Sequence, residues 1–168
     1  MTFLLFTFAL IQAVGAVIGA GGSVFAEIFY FRAIRDGYID EAERAHLRVI
    51  ATALRWGMMA LLLSSIGLVL VDFIYVVPTQ PALTSAYWVE MALALIVIGA
   101  SWALSRKRIS FHLGSAAAFT GWWLIALLVF GRLPALGFGA ALALYAVSTV
   151  VIAIVLSYAR MFGTRPAA

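Results

Sequence analysis

Three ionisable residues interrupt otherwise apolar stretches of this sequence, and they are the first candidates for chemistry. Glu27, Arg55 and His112 each lie one to two helical turns inside the polar boundary of a long apolar segment. An ionisable group at membrane depth costs roughly 2.5–3.5 kcal/mol on insertion scales, so it normally faces the protein interior with a partner. One interpretation is a polar seam that relays protons or small ions, or coordinates an anion. The alternative is a structural Glu27–Arg55 pair that locks two helices together, with His112 at the interface.

A second, outer acidic pair consists of Asp72 and Glu90, which flank the connection between the second and third apolar segments. On a helix Glu90 shares a face with Ala94, Val97 and Ser101, so it points along a partly polar stripe. Two acids at the mouth of a helix bundle would attract cations or protons. The expectation is instead that both are solvated at the level of the lipid head groups.

His112 also raises the question of a bound pigment, because the small residues 114–117 that follow it would admit a flat ring. A b-type haem commonly takes two axial histidines, and the other histidine, His46, lies in a polar loop. We therefore expect no cofactor and no metal site, and keep a single-ligand pigment or haem at His112 as an alternative.

The sequence lacks the residue combinations of common enzymes. It contains no cysteine, which excludes disulfides and thiolate metal sites. No nucleophile–base pair, zinc-binding cluster or phosphate-binding glycine loop is evident. The spacing of Gly15 and Gly19 is that of a helix-packing motif, since no strand precedes it. We expect no enzymatic activity and no catalytic residue.

Composition indicates which elements position these residues. Of the 168 residues 65% are apolar and 11% charged, with a mean hydropathy of +1.11, whereas soluble domains carry about 25% charged residues. Several uncharged stretches reach the roughly 20 residues that cross a bilayer core as a helix. The sequence predicts an all-α, polytopic membrane protein, a single five-helix bundle over 1–168, with helices at about 3–34, 41–76, 86–104, 109–129 and 138–158.

The first helix carries a stripe of small residues that organises the predicted bundle. Gly15, Gly19, Gly22 and Ala26 fall on one face, and Glu27 lies on its flank. Because small residues let helix backbones approach closely, the stripe predicts a packing surface. Asp40 and Glu43, spaced as a capping box, predict where the second helix begins.

Basic residues predict the orientation of the helices. Most of them fall in the first loop, the third loop and the C-terminal tail, and Arg132 lies on the other side. Cytoplasmic loops are enriched in Lys and Arg, so the N-terminus is expected outside and the C-terminus in the cytoplasm. The residues on the cytoplasmic side are Arg32, Arg35, Arg44, Arg48, Arg106, Lys107, Arg108, Arg160 and Arg165, the last two in a basic tail.

Two segments resemble a known group of proteins. Residues 21–39, with two glycines, an acid, paired aromatics and a basic-Asp-Gly exit, are similar to small, functionally uncharacterised bacterial inner-membrane proteins. Residues 121–134, from Gly-Trp-Trp to Gly-Arg-Leu-Pro, look like the penultimate helix of that group. The resemblance implies a multi-pass protein of the bacterial inner membrane and implies no reaction or ligand.

Two functions remain open from the sequence. The first is a small transport-type protein whose polar seam carries protons or small ions. The second is an accessory or assembly subunit of a larger membrane complex, in contact with lipid or a pigment. The expected partners are membrane lipids and either further copies of the chain or other membrane subunits. The positive net charge of +4 reflects topology, and no nucleic acid is expected.

Overall fold

The computed structural model describes residues 2–33, 40–75, 82, 84–134 and 136–163. Within them the protein has five helices, each long and apolar enough to cross a membrane. They are α1 (Thr2–Ala33), α2 (Glu41–Ile74), α3 (Ser85–Ser105), α4 (Phe111–Val129) and α5 (Phe138–Gly163). The predicted all-helical class and the number of helices are confirmed. The 36–39 part of the resemblance and Arg165 lie outside the described residues.

Side-chain caps determine where two of the helices begin. The Glu43 amide donates to Asp40 Oδ1 at 2.6 Å, and the Asp40 amide donates to Glu43 Oε2 at 3.1 Å. The predicted capping box of α2 is therefore confirmed. Helix α4 begins at Phe111 rather than at 109, because the Ser110 hydroxyl caps the Leu113 amide at 3.4 Å.

A short turn joins α4 to α5. The Gly131 amide donates to the Leu128 carbonyl at 2.9 Å and the Arg132 amide donates to the Leu127 carbonyl at 2.8 Å. This pair of bonds is a Schellman motif, and it requires the positive φ of 62° that Gly131 adopts. The tight reversal makes α4 and α5 antiparallel neighbours.

Helix α5 is longer than the sequence predicts. It continues to Gly163 instead of ending at 158, so the placement of Arg160 in a basic tail is wrong. Arg160 lies in the last turn of α5 and is only 5% exposed. The extra turn is stabilised because the guanidinium finds an acidic partner inside the bundle, which a solvated tail would not provide.

Side-chain contacts show that the helices alternate in direction. Glu27 near the end of α1, His112 at the start of α4 and Arg160 at the end of α5 meet at one end of the bundle. The start of α2 and the turn after α3 also lie at this end, which we call the basic end. Gln12 of α1 and Glu90 of α3 meet nearer the opposite, N-terminal end. Five alternating helices therefore place the chain termini at opposite ends.

The small-residue stripe of α1 lies against two helices. A Cβ at Gly15 would lie 2.8 Å from the Gly57 carbonyl oxygen of α2, so the two backbones nearly touch. At Gly19 the ring of Trp122 from α4 occupies the space that a side chain would need. Gly22 faces the side chain of Leu54, and Ala26 is half-buried. The stripe thus joins the α1–α2 pair to α4.

The apolar core forms where α4 meets α1 and α3. Trp122, Ile125, Leu93 and Val97 are all nearly inaccessible. Outside this core many large apolar side chains are exposed, and on α5 they extend along the helix: Val147, Val150, Val151, Ile154, Val155 and Tyr158. A surface of this kind is suited to lipid rather than water.

Candidate functional site

The first polar cluster is centred on Arg160, at the basic end. One guanidinium nitrogen, Nη2, donates to Glu27 Oε2 at 2.6 Å and to the Ser115 hydroxyl at 2.9 Å. The other, Nη1, donates to His112 Nδ1 at 2.8 Å. Glu27, His112, Ser115 and Arg160, which we call the Arg160 cluster, therefore join α1, α4 and α5.

Two aromatic rings lie close to the guanidinium, on the same side of it. Its central carbon lies 5.2 Å from the ring centroid of Tyr30 and 5.1 Å from that of Phe111. The two rings stack on each other with their centroids 3.9 Å apart. Cation–π attraction of this kind strengthens when water is excluded. Arg160 is thus held by charge, hydrogen bonds and aromatic faces together, as expected for a rigid structural lock.

The hydrogen bond from Arg160 determines the state of the His112 ring. A guanidinium can only donate, so Nδ1 must accept, and in the neutral ring the proton then lies on Nε2. A ring in this tautomer has no free lone pair for a metal, because Nδ1 is engaged and Nε2 carries hydrogen. The arrangement therefore does not favour a pigment or haem at His112.

The pairing of Glu27 with Arg55 is not what the structure shows. The ion pair of Glu27 is with Arg160, and Arg55 is exposed on α2. The reason lies in the packing of α1 on α2, where Leu54 faces Gly22. The next residue along a helix is turned by about 100°, which directs Arg55 away from α1. Of the three seam residues, the structure brings together Glu27 and His112.

The second polar cluster is centred on Glu90 and joins α1, α2 and α3. The Gln12 amide nitrogen donates to both carboxylate oxygens, at 2.8 and 3.0 Å, and the Ser65 hydroxyl donates to one at 2.8 Å. The same Gln12 nitrogen lies 3.0 Å from the Ser65 oxygen. Among the described residues all hydrogen-bond partners of Glu90 are neutral. Gln12, Ser65 and Glu90 are called the Glu90 cluster below.

Both outer acids are buried, so the expectation that they are solvated at the head groups is wrong. Glu90 is 7% exposed and Asp72 is 6% exposed. Asp72 lies on the same face of α2 as Ser65 and Leu68, about 10 Å beyond Ser65 toward the N-terminal end at 1.5 Å per residue. For Glu90 the cover includes Gln12 of α1 and Ser65 of α2.

Two adjoining cavities lie at the N-terminal end. One of about 180 Å³ is lined by the whole Glu90 cluster and by Tyr87. The other, of about 320 Å³, lies between α3, α4 and α5 and has mainly apolar walls. Thr84, Ala86 and Leu128 line both cavities, so the carboxylate and the apolar space form one region of the molecule.

Sequence reasoning missed Gln12 and Arg160. Gln12 is an amide in the middle of an apolar run, and a polar side chain in such a run normally faces a partner; this signal was available. The predicted last helix ends at 158, and Arg160 is only two residues further along the chain. A difference of two residues is within the usual uncertainty of helix boundaries. The inward direction of Arg160 had no signal in the sequence.

Potential metal ligands do not form a group in the described parts of α1 to α5. No three His, Cys, Asp or Glu side chains there are grouped so that they could hold a metal ion. The neutral partners of Glu90 provide hydrogen-bond donors rather than the several oxygen ligands that a hard cation requires.

Comparisons of the chain with protein-family models, with curated proteins and with solved structures found no match. The resemblance to bacterial inner-membrane proteins therefore stays an expectation from the sequence. Any function must be argued from the two clusters and the cavities.

Proposed function

We propose that the protein is a small membrane transport protein that takes up a proton or a small cation at Glu90. The observation that carries the proposal is a buried carboxylate, in the wall of a cavity, whose partners among the described residues are neutral. Ionisable residues at membrane depth mark ion and substrate pathways by default. Glu27 is already neutralised by Arg160, whereas no cationic side chain among the described residues forms an ion pair with Glu90.

Asp72 supports the same assignment. It lies nearer the N-terminal end than Ser65, on the α2 face that continues into the cavity. Two acids at successive depths attract cations toward the cavity, because low-dielectric walls focus their field. In this proposal the cation therefore binds at the outer acidic pair, Asp72 and Glu90, and not at the seam around Glu27.

Packed side chains lie between the two clusters. Gln12 and Glu27 are about 22 Å apart along α1 at 1.5 Å per residue, and between them Trp122 packs onto Gly19. The hydroxyl of Thr120 is buried there without a hydrogen-bond partner among the described residues. Transport in this proposal therefore requires movement of α4 relative to α1, with the Arg160 cluster as the lock that holds the basic end shut.

The proposal places the protein in a bacterial inner membrane with its N-terminus outside. Arg32, Arg44, Arg48 and the Arg106–Arg108 turn all lie at the basic end, which the positive-inside rule assigns to the cytoplasm. A reporter that is active only in the periplasm should be inactive when fused after Ala168 and active when inserted between α2 and α3. The reverse pattern would overturn this orientation.

The transport proposal predicts that Glu90→Gln abolishes cation uptake. The substitution keeps the size of the side chain and one oxygen that can accept from Gln12 and Ser65, and it removes the charge, so the fold should survive. Purified protein in liposomes should take up protons or a monovalent cation under an imposed membrane potential. Glu90→Gln should reduce the uptake at least tenfold, measured with a dye inside the liposomes. Glu41→Gln, at an exposed acid of the basic end, is the matched control and should transport normally.

Uptake that persists in folded Glu90→Gln would contradict the assignment of Glu90. Absence of uptake in the native protein would favour the second candidate, an accessory subunit of a larger membrane complex. The observation in favour of that candidate is the exposed apolar side of α5, which a partner helix would cover. Co-purification of a foreign subunit in mild detergent would then identify the complex.

A further inference from the structure

The two cavities at the N-terminal end share part of their walls and differ in their chemistry, so that side by side they present a two-part site. The smaller part offers the Glu90 carboxylate and the phenol ring of Tyr87. The larger part offers apolar walls, including Val89, Leu93 and Leu124. At about 320 Å³ it falls within the range of roughly 300–1,000 Å³ that is typical of pockets for small organic ligands.

We infer that this site binds an organic cation with an apolar body. The inference rests on the proposed function and names the class of its substrate. The cationic head lies beside Glu90 and Tyr87, where a negative charge and an aromatic face both attract it. The apolar body fills the larger cavity between α3, α4 and α5. In the inferred complex the ligand extends past Thr84, Ala86 and Leu128, which line both parts.

The geometry at Glu90 favours an organic cation over a bare metal ion. A hard metal ion needs about six oxygen ligands at short distance. Glu90 instead has both oxygens covered by the Gln12 amide group and one by the Ser65 hydroxyl. A quaternary ammonium group needs no ligand set, only a counter-charge and apolar or aromatic surroundings. Both are present in the two-part site.

Three probes of related shape test the inference on the full chain in detergent, with protein-free micelles as the blank. Benzyltrimethylammonium has both the charge and the apolar body. Tetramethylammonium has the charge alone, and neopentylbenzene is the uncharged carbon analogue. Equilibrium dialysis should show benzyltrimethylammonium binding at least tenfold more tightly than either of the others. Glu90→Gln should remove its advantage over the uncharged analogue.

A cavity-filling variant tests the apolar part separately. Ala141 is buried and lines only the larger cavity, so Ala141→Leu should weaken benzyltrimethylammonium binding at least tenfold. Unchanged binding of the probe by folded Ala141→Leu would contradict the assignment of the apolar part. The neighbouring Ala140 is exposed, and Ala140→Leu is the matched control that should bind the probe normally.

The outcomes separate this inference from the proposed function. Equal binding of tetramethylammonium and benzyltrimethylammonium would overturn the inference and leave small-cation transport standing. Equal binding of the uncharged analogue would also overturn it and would indicate a lipid chain in the cavity. Native protein that takes up no cation in liposomes would overturn the proposed function, whatever the binding results.

Discussion

Replacing Arg160 by Gln should lower the stability of the folded bundle by about 3–5 kcal/mol, the range for breaking a buried ion pair by removing one partner. The guanidinium donates hydrogen bonds to Glu27, His112 and Ser115 and lies beside the stacked rings of Tyr30 and Phe111. Its removal leaves the Glu27 carboxylate buried without its partner. The measurement is the midpoint of thermal or denaturant-induced unfolding in detergent.

The double variant and a surface control make this prediction specific. Glu27→Gln alone should also destabilise the protein, and Glu27→Gln with Arg160→Gln should recover part of the loss, since removing both charges is milder than removing one. Arg55→Gln changes an exposed arginine of α2 and should alter stability by less than about 0.5 kcal/mol. A strong effect of Arg55→Gln with none of Arg160→Gln would mean that Glu27 pairs with Arg55 after all.

Truncating Trp122 to Ala should cost about 3 kcal/mol, at the lower end of the range for large aromatic residues in soluble cores. The ring is 2% exposed and lies against the backbone of Gly19. Lipid and detergent chains are as apolar as this pocket, so burying the ring there gains little from the hydrophobic effect. The lost stability is therefore mainly that of the packing contacts of the ring. Unfolding measurements in the same detergent give the value.

The partner substitution tests whether Trp122 acts through its contact with α1. Gly19→Ala should destabilise the native protein, because its Cβ would enter the ring of Trp122. The same change should be nearly harmless in the Trp122→Ala background, where the space is free. Gly21→Ala has open space around its Cβ and should be neutral or slightly stabilising, because Ala favours the helix more than Gly does. Equal costs of Gly19→Ala in both backgrounds would contradict the contact.

Much of the fold was predictable because the start and the apolar length of a helix depend on residues that are close together in the sequence. The apolar lengths predicted five helices, and Asp40 with Glu43 predicted the start of α2, since these signals depend on neighbouring residues alone. The end of α5 was not predictable in the same way. Whether Arg160 ends a helix or continues it depends on a carboxylate 133 positions away in the chain.

The candidate site was predictable only in part. Four of the site residues were identifiable from the sequence: Glu27, His112, Asp72 and Glu90. Placing an ionisable residue in an apolar segment costs free energy, so such a residue normally has a partner or a function. The partners of these four residues were not identifiable, because partners are set by the rotation of each helix about its axis. A shift of one residue turns a side chain by about 100°, and that difference separates the exposed Arg55 from the packed Leu54.

The sequence by itself determined the all-α class, the number of helices long enough and apolar enough to cross a membrane, and the loops in which the basic residues gather. These features follow from the order of apolar and charged segments along the chain. Only the tertiary structure decided that Glu27 is neutralised by Arg160 and that Glu90 is left with Gln12 and Ser65 beside a cavity. The physical reason is that both results depend on which helix faces meet. The faces that meet are set by the close approach of α1 to α2 at Gly15 and of α1 to α4 at Gly19.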